Sequence, residues 1–257
     1  MRKLNVLVAC EYSGHVREAF RKLGHNAWSC DLLPADDDSP YHYQGDLFDL
    51  IDQCMTAREF NRLGKSGAIY ELPHHDEWDL LIAFPPCTYL TVSGAWLFAD
   101  RDQIKRNVAE GVLTGVERKR ARTEAVEFMR RLQECGIPHV ACENPSRSFL
   151  CTHYRKPDCV VHPHQFGHDA SKSTGLWLKN LPGLVDNPAD HVAPRMVKQP
   201  SGKVLPRWAN QTDSGQNCLS PGALRWKERS VTYMGIANAM ANQWTAYILA
   251  TEGPWIE

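Results

Sequence analysis

Two short segments hold the residue types best suited to chemistry in this chain: Phe84-Pro85-Pro86-Cys87-Thr88 and Cys142-Glu143-Asn144-Pro145. Each follows an apolar run of strand character, Leu80 to Ala83 and Ile137 to Ala141, so a thiol and a carboxylate are expected to emerge at strand ends. Open α/β sheets place their chemistry there. A cysteine held behind rigid prolines can act as a nucleophile, and a glutamate on a nearby strand end can protonate what it attacks. The pair points to covalent chemistry on an electron-poor ring.

The surrounding pattern supplies elements that would position both groups. Leu4 to Ala9 reads as a buried strand, followed by the turn Glu11-Tyr12-Ser13-Gly14 and a helix through Val16, Ala19, Phe20 and Leu23 that Gly24 caps. Asn26 to Cys30 reads as a second strand ending at Asp31. The spacing from Gly14 to Asp31 resembles a nucleotide-binding unit in which the acid takes a ribose. Tyr41 to Gln44 is a short strand before Gly45-Asp46, a helical stretch covers Leu47 to Cys54, and Trp78 to Phe84 is the fourth strand. Thr88 to Gly115 is polar and mixed, a loop with some helix over Cys87.

Glu117 to Cys135 carries the best helical pattern, with Ala121, Ala125, Phe128, Met129 and Leu132 at helical spacing before Gly136 and Pro138 end it. A strand, helix, strand order therefore links Cys87 to Glu143 and would set them side by side if the two strands are neighbours. Beyond residue 150 prolines are frequent and periodicity is weak until Thr232 to Thr251, a helix expected to return to the core. The expected fold is α/β, a Rossmann-like sheet with helices on both faces. Residues 1–150 would form the catalytic domain, 151–230 a small loop-rich substrate-facing region, and 231–257 the returning helix.

With 43% hydrophobic and 23% charged residues in 257, the chain is composed like an ordinary soluble globular protein. Leu4 to Cys10 is too short and interrupted for a secretory segment, and no run approaches a membrane span. The expected compartment is the cytoplasm, where the nine cysteines would be reduced. Residues 1–100 hold 8 Lys/Arg against 15 Asp/Glu, whereas 101–257 hold 21 against 15, so a phosphate-facing surface is expected in the second part. Cys151, His153, Cys159, His162, His164 and His168 cluster in sequence, but their spacings match no common structural zinc site and no metal is expected.

The order of these features resembles the cytosine-C5 DNA methyltransferase family, in particular its small, phage-type members. Tyr12-Ser13-Gly14 with Arg17 and Phe20 is similar to the first cofactor motif, though with one glycine fewer. Asp31 and Asp46 stand where that family contacts the ribose and the adenine. Pro86-Cys87 is similar to its nucleophile motif Pro-Cys-Gln, Glu143-Asn144 to Glu-Asn-Val, and Gly235 to Ala239 to its closing Gly-Asn-Ala-Val motif. Thr88 stands in place of the glutamine and Pro145 in place of the valine. The Gln-x-Arg-x-Arg motif is not recognisable near Gln165, so Lys172 or His168 is expected to face the substrate instead.

The resemblance implies S-adenosyl-L-methionine as cofactor, held by Tyr12, Ser13, Gly14, Asp31, Asp46, Phe84 and Asn238. It implies Cys87, Glu143, Asn144 and Pro86 as the catalytic set, with Thr88, Lys172 and His168 on the substrate. The partner would be DNA presenting a flipped cytosine in a bacterium or a phage-infected cell. About 70 residues separate Gln165 from Gly235, too few for an extended recognition domain and leaving room for a specificity partner protein. Three rival readings stay open. One is an amino-methyltransferase, faintly suggested by Pro85-Pro86-x-x-Tyr89. The others are a relative that modifies nucleotides or transfers another group, and a DNA-binding relative without turnover.

Overall fold

The computed structural model describes residues 2–52, 61–63, 69–220, 222 and 225–251. β1 (Asn5–Ala9) leads into α1 (His15–Lys22), β2 (Asn26–Asp31), β3 (His42–Gln44) and the one-turn helix α2 (Phe48–Ile51). An antiparallel pair, β4 (Asn61–Leu63) and β5 (Ile69–Glu71), precedes β6 (Leu80–Ala83). Next come α3 (Gly115–Glu134), β7 (His139–Pro145), α4 (Leu150–His153), β8 (Cys159–Val161) and β9 (Thr174–Lys179). A two-stranded ribbon, β10 (Arg195–Lys198) and β11 (Val204–Arg207), is followed by α5 (Arg225–Ser230) and α6 (Met234–Thr251). No helix among the described residues is long and apolar enough to cross a membrane.

Seven strands form one sheet in the order β3-β2-β1-β6-β7-β9-β8. The pairs from β3 through β7 are parallel, and β9 runs antiparallel to both of its neighbours. The fold is therefore α/β with a mostly parallel sheet flanked by helices, compatible with a Rossmann-like arrangement.

Strand periodicity sorts the core onto two faces. Leu7, Ala9, Leu81, Ala83, Val140, Cys142 and Trp177 point to one side, where Val126, Met129 and Leu132 of α3 cover them. Val6, Val8, Leu80, Ile82, Ala141 and Leu176 point to the other, against Phe20 of α1 and Ile236, Met240 and Trp244 of α6. Burying an aliphatic side chain of this size contributes about 1.5–3 kcal/mol, which explains why strands of only four or five residues stay in register.

Three sequence expectations change. The strand expected to stop at Ala141 continues to Pro145, because β9 supplies partners for Glu143, Asn144 and Pro145 at Leu176, Gly175 and Thr174. Glu143 and Asn144 are thus strand residues with fixed directions, not loop residues. The helix expected over Leu47 to Cys54 ends at Ile51, Asp52 is extended, and Cys54 lies outside the described residues. A boundary at residue 150 does not separate two packing units, since β8 and β9 complete the main sheet. β9 is buried on both faces over Thr174 to Trp177 and so shows no alternation.

Candidate functional site

Chain connections leave β1 and β6 in opposite directions along the sheet, so the crevice beyond their carboxyl ends is the topological switch point. Ala83 pairs with Cys142, which brings Phe84 to Cys87 and Glu143 to Pro145 to the same end of adjacent strands. The buried Asn144 side chain fixes the two together by donating from Nδ2 to the Pro85 carbonyl at 3.0 Å. Beyond it the Cys87 carbonyl accepts from the N–H groups of both Leu90 and Thr91 at 3.0 Å, closing a tight turn after the thiol. Buried Arg118 of α3 donates from Nη2 to the Thr88 carbonyl at 3.1 Å. The loop carrying Cys87 is therefore held from both sides while Pro86, Cys87 and Thr88 remain exposed.

Protein packed around the thiol pushes the Cys87 pKa up, and the Glu143 carboxylate pushes it further; the Lys172 and Arg229 cations oppose both. Lys172 Nζ lies 3.6 Å from Glu143 Oε1, an oxygen that is buried and accepts no hydrogen bond from the described residues. β9 is the reason for this closeness. Its antiparallel pairing brings the segment just before Thr174 alongside Pro145, and Ser146 N–H donates to the Ser173 carbonyl at 3.1 Å. Phe84, Glu143, Lys172 and Thr174 line a shallow hollow, with Thr232, Tyr233, Ile236 and Met240 at the start of α6 on its far side.

The neighbouring loop after β1 is built around a buried carboxylate. Cys10 has φ +56°, a left-handed conformation costly for a residue with a Cβ and concentrated at functional sites. Glu11 then turns inward, its Oε1 accepting from Val16 N–H at 2.7 Å and its Oε2 from Arg17 N–H at 3.3 Å. Burial pushes the Glu11 pKa up while those two hydrogen bonds and the Arg17 and His15 charges pull it down. Gly14, at φ +72°, precedes the first turn of α1, and a Cβ there would meet the fully buried Arg17 guanidinium. Arg17 is itself held by Ser29 Oγ at 2.7 Å and by the Asp37 carboxylate.

Asp31 and Asp46 converge on this loop, both helping to push the Cys10 thiol up to about 12, with burial the larger cause. Burial also pushes the Asp31 pKa up, against the pull of its hydrogen bond from Leu33 N–H. Asp46 is exposed and accepts from Phe48 N–H at 2.9 Å. Tyr12 donates from its hydroxyl to the Lys227 carbonyl at 2.7 Å, so α5 lies across the loop, and Lys227 pairs with Asp36. Ser13 is partly exposed in the same turn.

Most expected site residues therefore gather at one sheet end: Tyr12, Ser13, Gly14, Asp31 and Asp46 on the β1 side, and Phe84, Pro86, Cys87, Thr88, Glu143, Asn144 and Lys172 on the β6 side. Two are carried on or against α6, and the ring of His168 packs on that of Tyr233 at 5.2 Å. His168 accepts from Gly235 N–H through Nε2 at 2.9 Å and so caps α6, a contact that sequence spacing over 67 residues could not signal. Asn238 is exposed on α6, whereas Ile236 and Met240 of that helix line the hollow.

Arg229, Thr232 and Tyr233 were invisible in the sequence as site residues, because only chain closure through α5 and α6 brings them here. Of the Cys/His cluster after residue 150, the rings of His162 and His164 stack at 5.1 Å and His164 stacks on Trp208 at 4.1 Å. Among the described residues the side chains spaced to share a metal ion are His74, His75 and Asp76, which precede β6 at the opposite sheet end. No protein-family model and no curated protein matches the chain.

Proposed function

We propose that this protein transfers a methyl group from S-adenosyl-L-methionine to C5 of cytosine in DNA, through a covalent bond between Cys87 and C6 of the ring. The observation that carries the reading is the shared end of β6 and β7, where a thiol and a carboxylate emerge from neighbouring strands with a lysine 3.6 Å from the acid. C5 of cytosine is a poor nucleophile until the ring is activated. Addition of the Cys87 thiolate to C6, with Glu143 delivering a proton to N3, turns C5 into an enamine-like carbon. Lys172 and Arg229 favour the thiolate. After transfer, a base removes the C5 proton as the C6–sulfur bond breaks and Cys87 leaves as thiolate, and the N3 proton returns to the Glu143 carboxylate, which restores both the ring and the acid.

The β1 side fits the cofactor by its charge. In phosphate-binding sheets of this kind the first helix N-terminus is open to an anion. Here Glu11 already takes the N–H groups of Val16 and Arg17, and Asp31 and Asp46 stand close by. A pyrophosphate would face three carboxylates, whereas a sulfonium with an amino group and a ribose would be attracted. Gly14 lets the loop turn tightly over the buried Arg17 guanidinium, and Asp31 at the end of β2 would take ribose hydroxyls. When bound, S-adenosyl-L-methionine supplies an electrophilic methyl group.

Phe84 lines the hollow where polarising an exocyclic amine would require a polar side chain, and Tyr89 packs under the Arg118 guanidinium. Both features favour carbon over amine methylation. The test is mass analysis of nucleosides from DNA incubated with the protein and S-adenosyl-L-methionine. 5-Methyldeoxycytidine is expected. N4-methyldeoxycytidine or N6-methyldeoxyadenosine would overturn the reading, as would calorimetry showing DNA binding but no cofactor binding.

A further inference from the structure

The ribbon of β10 and β11 stands outside the main sheet, and residues 191–212 around it contain four Lys/Arg and no Asp/Glu. An isolated two-stranded ribbon is marginal in water, yet this one is braced on one face. Arg195 donates to Asp213 Oδ1 at 2.5 Å, and Arg207 Nε and Gln199 Nε2 donate to the Asp213 carbonyl at 3.0 and 2.9 Å. Strand alternation assigns Arg195, Val197, Leu205 and Arg207 to the braced side. The opposite side carries Met196, Lys198, Val204 and Pro206, with Met196 61% and Val204 53% exposed. Among the described residues the side chains of Lys198 and Lys203 make no ion pair or hydrogen bond.

At its base the ribbon is fastened to the site. Asn210 accepts from Ser171 N–H at 2.8 Å and donates to the Ser171 carbonyl at 3.0 Å, one residue before Lys172. Trp208, one residue after β11, stacks on His164 and donates to the Val192 carbonyl at 3.1 Å. A braced ribbon with a solvent face of cations and apolar side chains, rigidly joined to a base-modifying cleft, has the dimensions and charge that a major groove accepts.

We propose that β10 and β11 enter the major groove of duplex DNA. Lys198 and Lys203 would neutralise phosphates, and Met196 and Val204 would lie against base edges such as thymine methyl groups. The assignment rests on the reading of the cleft as one that acts on DNA.

The test measures binding of the full chain to a fluorescein-labelled mixed-sequence duplex by anisotropy across a salt series. The double variant K198E/K203E should bind about tenfold or more weakly, with a salt slope smaller by about two. K3E/K22E makes the same charge change on exposed residues at the opposite sheet end and should bind like wild type. Both variants should melt like wild type. A single-stranded oligonucleotide containing 5-fluorocytosine, with S-adenosyl-L-methionine, should trap K198E/K203E as readily as wild type. Unchanged duplex affinity in K198E/K203E, or an equal loss in K3E/K22E, would overturn the ribbon assignment. So would loss of single-strand trapping in a normally folded K198E/K203E, which would place the lysines in the reaction itself. Failure of wild type to form the adduct counts against the cytosine reading instead, and the duplex titration still decides the ribbon.

Discussion

Cys87 sits between opposing influences: its packing and Glu143 disfavour the thiolate, while Lys172 and Arg229 favour it. Replacing Lys172 with Met removes a cation that lowers the thiol pKa, so the pKa rises and the activity profile moves to higher pH. A thiol pKa higher by about one leaves roughly a tenth of the thiolate near neutrality. A pH series of methyl transfer should show that displacement, with a smaller one for Arg229→Met; movement to lower pH would contradict these electrostatic roles. Glu143→Gln cannot deliver a proton and should lower turnover by about 10²–10⁴-fold with cofactor binding intact, measured by single-turnover transfer and calorimetry. The emergence of Cys87 and Glu143 at neighbouring strand ends was legible in the sequence because an apolar run ending in polar residues is a local signature. The closeness of Lys172 to Glu143, the influence of Arg229 and the contact of His168 with α6 were not, since each depends on contacts made far along the chain.

The elements that hold these groups depend on two glycines for different reasons. Gly14 lies at φ +72° against a buried guanidinium, and Gly14→Ala should destabilise the protein by about 1–2 kcal/mol through backbone strain alone. Weaker cofactor binding by calorimetry should accompany the lowered melting temperature. A Cβ on Gly235 would lie 1.9 Å from the Phe166 carbonyl oxygen. Gly235→Ala must therefore shift α6 from its dock on the 163–168 turn, a strain of about 1–3 kcal/mol, and thermal melting should fall accordingly. The helices α3 and α6 were readable from their apolar spacing. The extension of β7 through Glu143 was not, because its hydrogen-bond partners come from β9, some thirty residues on. Nor was the ribbon, whose order derives from the Asp213 brace and not from strand propensity.

Across the whole molecule, burial raises the pKa of several thiols, Cys10 and Cys142 both to about 12 from an ordinary 9.0. In the unfolded chain these thiols ionise near the ordinary value, so above it the unfolded state has lost protons that the native state still binds. Their contribution to stability is complete below pH 9 and is lost as the pH rises toward about 12. Melting temperature should therefore fall between pH 8.5 and 10.5, and Cys142→Ala should flatten that fall; a rise with pH would contradict the sign.

At this scale the sequence disclosed an α/β fold and the strand ends from which Cys87 and Glu143 emerge. The division at residue 150 misled because β8 and β9 join the sheet only after the chain has crossed β7.

The central claim is a covalent bond from Cys87 to a cytosine ring. Intact-protein mass spectrometry after incubation with S-adenosyl-L-methionine and a 5-fluorocytosine oligonucleotide tests it most directly, because fluorine at C5 blocks the final elimination. A protein–oligonucleotide adduct is expected in wild type, mapping to Cys87 after digestion and absent in Cys87→Ser. Production of 5-methyldeoxycytidine on ordinary DNA without any such adduct, or an adduct that persists in Cys87→Ser, would contradict it.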